Sequence, residues 1–226
     1  MRPSRKLYFL FCCLWCVGNF AFCQKKGFQT PDSLKGKTYT YLYNQYVKDV
    51  GDTISSVLYL SAYFDKATIE NDTINKAIAL NELSYYTSTQ EEKLDLINRS
   101  LFESNSVDSL FSVATYNNLG LYYQDHYDYD NALKQYLIVM RLAKNGNDKK
   151  YESIAINNIA WLKTDIGKHE EALEMHRKCF NLEMKMQPQE ENRIISSSIG
   201  LAKSLSNNKK YDSASYYYHS IIDKVE

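Results

Sequence analysis

The stretch HEEALEMHRKC (169–179) holds the residues best placed for chemistry. His176 and Cys179 are three apart, so on a helix they share a face and could form half of a metal site or a nucleophile beside its base. Either reading needs more ligands or an orienting third group, and the sequence supplies none at useful spacing. His126, His169 and His219 have no partner in sequence. No glycine-rich phosphate loop, His-Glu-x-x-His or Gly-x-Ser-x-Gly occurs, and no Cys-x-x-Cys follows residue 23. The chain therefore reads as a non-enzyme with no catalytic residue, cofactor or metal. The tyrosine runs (Tyr122, Tyr123, Tyr127, Tyr129; Tyr216, Tyr217, Tyr218) are either gap-fillers between helices or a surface on which a ligand stacks.

The elements that must carry these residues are helices. With 20 Tyr, 8 Gly and 3 Pro in 226 residues, the chain has little material for tight turns. Apolar residues recur at helical spacing from Asp32 onward. The spacing is interrupted at KDVGDT (48–53), ENDT (70–73), TSTQEE (87–92), ESNSVD (103–108), DHYDYD (125–130), KNGNDK (144–149), DIGKHE (165–170), MQPQEE (186–191) and SNNKKYD (206–212). Nine breaks predict ten helices and no strand. Asp52, Asp72, Thr89 and Ser106 stand where they can cap helix N-termini.

Two of the helical stretches are copies of one plan. YNNLGLYYQDHYDYDNALKQYLIVM (116–140) and INNIAWLKTDIGKHEEALEMHRKCF (156–180) place small residues twelve apart, Gly120 with Ala132 and Ala160 with Ala172; a third copy places Ala202 with Ala214. Glycine inside a helix costs about 1 kcal/mol against alanine, so Gly120 marks a point where the partner helix leaves no room for a side chain. His176 and Cys179 fall at the places of Tyr136 and Val139, which favours packing over chemistry for both.

On these residues the chain resembles the tetratricopeptide repeat family at 113–145, 153–186 and 195–226, with YNNLG and YDYDNAL the most specific pieces. The period of 40 to 42 is longer than that family's usual repeat. Residues 24–104, including ALNELSYYTSTQEEKLDLINRSLFES with Ser84 small but Lys93 where alanine is expected, read as degenerate repeats of the same kind. The resemblance implies an all-α solenoid of antiparallel helical hairpins in a right-handed superhelix, whose first helices line a concave groove. Threading the family pattern puts Asn117, Leu121, Gln124, Asn157, Trp161 and Thr164 in that groove, with Ala114 and Ile154 beside them and Asn118 and Asn158 at its edge. It implies a protein or peptide as partner. The cationic groups with which some relatives grip a carboxylate are absent from these positions.

The start of the chain has its own character. Arg2, Arg5 and Lys6 precede the mostly apolar run LYFLFCCLWCVGNFAF (7–22), and Ala21 and Cys23 are small residues before Gln24. The pattern predicts a secretory signal peptide over 1–23, hence an exported, periplasmic protein; a retained membrane anchor and a lipid-bearing Cys23 are the alternatives. Removing residues 1–23 leaves 24 basic against 27 acidic side chains, a net of −3, and Cys179 as the sole cysteine, so neither a nucleic-acid partner nor an internal disulfide is expected. The aromatic last stretch, YYYHSIIDKVE, lacks a polar capping helix, which predicts self-association through that helix or a longer protein. Two functions fit: an exported, non-catalytic binding scaffold, or the extracytoplasmic input region of a bacterial sensory or transcriptional regulator.

Overall fold

The computed structural model describes residues 30–105 and 109–225. The predicted signal segment and the Ser106 cap lie outside them. The described residues form ten α-helices and no strand: α1 (Tyr39–Lys48), α2 (Thr53–Ile69), α3 (Thr73–Leu83), α4 (Gln90–Asn105), α5 (Val113–Asp125), α6 (Tyr129–Asn145), α7 (Lys149–Asp165), α8 (His169–Lys185), α9 (Glu191–Asn207) and α10 (Tyr211–Val225). Every polar break read from the sequence falls at a helix end.

Local chemistry fixes those ends. Asp52 accepts from the Ile54 amide at 3.0 Å, Asp72 from Asn75 at 3.0 Å and Thr89 from Glu92 at 3.1 Å, satisfying N–H groups that have no partner within the helix. Asp128 and Asp148 cap α6 and α7 in the same way, accepting from Asn131 and Tyr151. Four turns share one closure, in which the amide of a residue just past the helix bonds back to a carbonyl in its last turn: Asp128 to Tyr123, Asp148 to Ala143, Lys168 to Lys163 and Lys210 to Leu205, all at 2.8–2.9 Å. Each closure needs one residue at positive φ. Gly167 and Asn147 suit that conformation, whereas Tyr127 (φ 59°) and Lys209 (φ 60°) adopt it despite their side chains.

The chain divides into two compact units, Met1–Asn71 and Asp72–Glu226. In the first, α1 and α2 pair through Leu42, Tyr46, Leu60, Ala62, Tyr63 and Ala67, with the Tyr39 and Tyr63 rings 4.8 Å apart. The second unit is four hairpins, α3/α4, α5/α6, α7/α8 and α9/α10. Each helix packs on the next, and the first helices α3, α5, α7 and α9 also touch in succession. One hairpin exposes too much apolar surface to stand alone, so stability accrues from neighbour to neighbour.

The recurring small residues sit where helices meet. Ala132, Ala160, Ala172 and Ala202 are fully buried, and Ala214 nearly so. Gly120 faces the Tyr136 ring so closely that an added Cβ would lie 2.4 Å from a ring carbon; at Gly200 it would lie 2.5 Å from the His176 ring. Tyr136 thus leans back on its own hairpin, while the shorter His176 meets the first helix of the next. Gly120→Ala and Gly200→Ala should each lose on the order of 1 kcal/mol net, overpacking outweighing the gain in helix propensity. Gly51→Ala, with nothing within 4 Å, should not destabilise. Urea midpoints for the three variants measure this, and equal midpoints would refute the packing argument.

Candidate functional site

His176 and Cys179 are core residues. His176 is fully buried, neither ring nitrogen has a hydrogen-bond partner, and burial pushes its pKa down to about 4. Its ring meets Trp161 edge-on at 5.1 Å. Cys179 is also buried, 3.3 Å from the Ser153 hydroxyl, and burial pushes its thiol up to about 11. The two side chains face different neighbours, the thiol Ser153 and the imidazole Trp161 and the Gly200 backbone, so both serve the packing between helices. His169 is exposed at the start of α8, and the His126 ring takes up the Tyr122 carbonyl at 2.7 Å.

The predicted groove residues lie on the first helices α5 and α7, and most of their polar groups are already engaged within the protein. Asn118 donates to Asn81 at 2.8 Å, and Asn158 donates to Asn117 at 2.7 Å. These are equivalent bonds between successive hairpins, so side-chain amides climb the stack as rungs. Asn118 is buried rather than at an edge, and it also accepts from the Tyr85 hydroxyl; desolvation raises Tyr85 to about 12. The next rung would join Asn157 to position 200, which is glycine. Asn157 Oδ1 is accordingly buried without a partner.

Gln124 donates to Asp165 at 2.6 Å and accepts from the Tyr136 hydroxyl at 2.8 Å, tying α5 to both α6 and α7. Thr164 turns back to the Ala160 carbonyl at 3.1 Å. Leu121 and Trp161 are half-buried on successive helices. Counting from the buried small residues, Ser84, Gly120, Ala160 and Ala202, extends this row to Tyr85 just past α3 and Lys203 on α9, both exposed. Tyr85, Leu121, Trp161 and Lys203 therefore form one line across four hairpins. Tyr85 and Lys203 follow from the same small-residue register, carried one hairpin further in each direction.

The tyrosine runs divide between the two roles open to them. Tyr123 and Tyr129 pack around Ala132 and Tyr136, and Tyr217 packs on Phe180 with ring centroids 5.4 Å apart. Tyr216 and Tyr218 on α10 are exposed, although Tyr136 and His176, the equivalents of Tyr218, are fully covered by the helix that follows.

A family description, "Tetratricopeptide repeat", matches residues 111–182. No curated protein sequence matches the chain significantly. Among solved structures, the apo form of RapI is similar at 17% identity and a TM-score of 0.64, over 83% of this chain and 71% of that one. BtubC (BKLC) from P. vanneervenii is similar at 11% identity and a TM-score of 0.61, over 85% of this chain and 91% of that one. Nearly identical TPR-like repeats of a putative kinesin light chain from Podosopora anserina are similar at 14% identity and a TM-score of 0.57, over 83% of this chain and 96% of that one. At these identities the likeness is one of fold. Residues 111–182 are therefore tetratricopeptide repeats, set within an all-α stack of helical hairpins of the tetratricopeptide type.

Proposed function

We propose that the chain is an exported, non-catalytic scaffold that holds a protein or peptide segment on the face shared by α3, α5, α7 and α9. The observation that carries this reading is the line Tyr85, Leu121, Trp161 and Lys203: two aromatic rings, an aliphatic side chain and a cation, aligned and accessible along one side of the stack. A partly buried tryptophan is the side-chain type that anchors partners most strongly, and truncating such an anchor typically costs about 2 kcal/mol or more, roughly thirtyfold in affinity. Trp161→Ala should therefore lose its partner in a pull-down from periplasmic extract while keeping the helical circular dichroism of the parent chain. Unchanged recovery would remove Trp161 from the site. N-terminal sequencing of the exported protein tests the leader separately, with Gln24 as the expected first residue.

The uncovered α10 face favours a second reading. Tyr218 and Ile222 lie one turn apart and are exposed, whereas Tyr136 and His176, at the place of Tyr218, are fully buried, and Met140 and Phe180, at the place of Ile222, are half-buried. That face suits self-association, or packing against a following segment of a sensory regulator. Sedimentation equilibrium reports the first, and an in-frame apolar span of about 20 residues downstream of Glu226 would report the second.

A further inference from the structure

Two joints of the stack use equivalent positions and fill them differently. Where α6 meets α7, Tyr136 packs in one cluster with Ile159 and Leu162, and its hydroxyl bonds Gln124. The Asn117–Asn158 rung ties the first helices of the same two hairpins. Where α8 meets α9, His176 stands for Tyr136, Leu201 for Ile159 and Ser204 for Leu162, and Gly200 removes the rung. Asn157 Oδ1, both His176 nitrogens and the Ser204 hydroxyl are buried there with no hydrogen-bond partner among the described residues. A Cβ at Gly200 would meet His176 Nδ1 at 2.5 Å and Asn157 Oδ1 at 3.3 Å, so two of these unpaired atoms flank one point of α9. Such groups weaken the closed joint, because each regains hydrogen bonds when the joint opens. Leu173, Leu201, Leu205 and Ala214, with the Glu183–Arg193 bridge, hold it shut.

We infer that this joint is a proton-operated latch: acid releases the α9/α10 hairpin as one unit while α3 to α8 stay packed. Among the described residues α9/α10 packs on one hairpin, whereas α5/α6 and α7/α8 each pack on two, so it can leave without breaking a second interface. Closed, the joint has no place for an imidazolium. Toward the ring α7 presents Asn157 and Trp161 and α9 presents Gly200, none of which titrates or carries charge. The charges that cross the joint, Glu183 and Arg193, are committed to each other, and burial alone holds the His176 pKa down. When α9 lifts away, the ring meets water and takes up a proton, so each step toward acid favours the open form. Release uncovers the Phe180 side of α8 and removes α9, with Lys203, from the shared face, whatever that face binds.

Amide hydrogen exchange of the chain that begins at Gln24, followed near pH 7 and near pH 5, tests the latch. Across that range carboxylates keep their charge while an uncovered imidazole gains one. After correction for the intrinsic effect of pH on exchange, amides throughout α9 and α10 should exchange roughly twentyfold faster near pH 5, because the open form binds the proton near the ordinary 6.5 and the closed form only near 4. Amides in the middle of α6 and α7, such as those of Val139 and Ile159, should hold their rates. His176→Phe should abolish the acceleration in α9 and α10. No acceleration there in the parent chain, or an equal one across α5 to α8, overturns the latch without recourse to any variant. Acceleration that persists in His176→Phe overturns it as well, by assigning the release to another group.

Discussion

Replacing Arg193 with alanine is expected to lower the unfolding free energy by about 3–5 kcal/mol, the range for stripping a buried charge of its partner. Glu183, in the last turn of α8, is 3% exposed and accepts from Arg193 Nε at 3.1 Å; the same guanidinium pairs with Glu190. The connection 186–190 is longer than the other turns from α5 onward and lacks their back-bonded closure, so this charge bridge fastens α8 to α9. Removing the arginine leaves a carboxylate in the core with no counter-charge. Replacing both Arg193 and Glu183 with methionine should recover most of the loss, because Ala143 shows that the equivalent site one hairpin earlier accepts an apolar residue. Urea midpoints near neutral pH measure this, and an unchanged midpoint for Arg193→Ala would contradict it.

Acid should act through His176. Its folded pKa is depressed by burial to about 4, from an ordinary value of 6.5. Between those values the unfolded chain binds a proton that the folded chain refuses, so this contribution to stability is complete above pH 6.5 and is lost as pH falls toward 4. The span corresponds to about 3 kcal/mol. Among the described residues no carboxylate is paired with the ring to reverse the sign; it meets the Trp161 ring and the backbone at Gly200. Unfolding free energies of the parent chain and of His176→Phe, followed across that range, should converge or cross as the pH drops, since only the parent loses this contribution. A constant difference between the two would show that His176 does not titrate as its burial requires.

The helices were legible because their breaks are local. A cluster such as KNGNDK or DIGKHE cannot continue an apolar stripe, and aspartates before a new stripe cap it within three residues. The small residues were legible for a related reason: a glycine in mid-helix has a cost that only close approach explains, and the Tyr136 ring over Gly120 is that approach. Other features depend on groups far apart in the chain. Asn117 and Asn158 are 41 residues apart and carry no mark that they bond each other rather than a ligand. Arg193 and Glu183 resemble any surface charges until the fold buries one of them. Tyr127 and Lys209 hold the turn conformation that Gly167 and Asn147 announce, because the helices on either side leave the backbone no other path.

Acrylamide quenching of Trp161 fluorescence, in the chain that begins at Gln24 and has Trp161 as its sole tryptophan, tests the location of the binding surface most directly. Adding the partner recovered on the parent chain should lower the quenching constant severalfold, since the indole is half-exposed when free and covered when the shared face is occupied. A saturated complex in which Trp161 is quenched as readily as in the free protein would place the partner elsewhere and contradict the account.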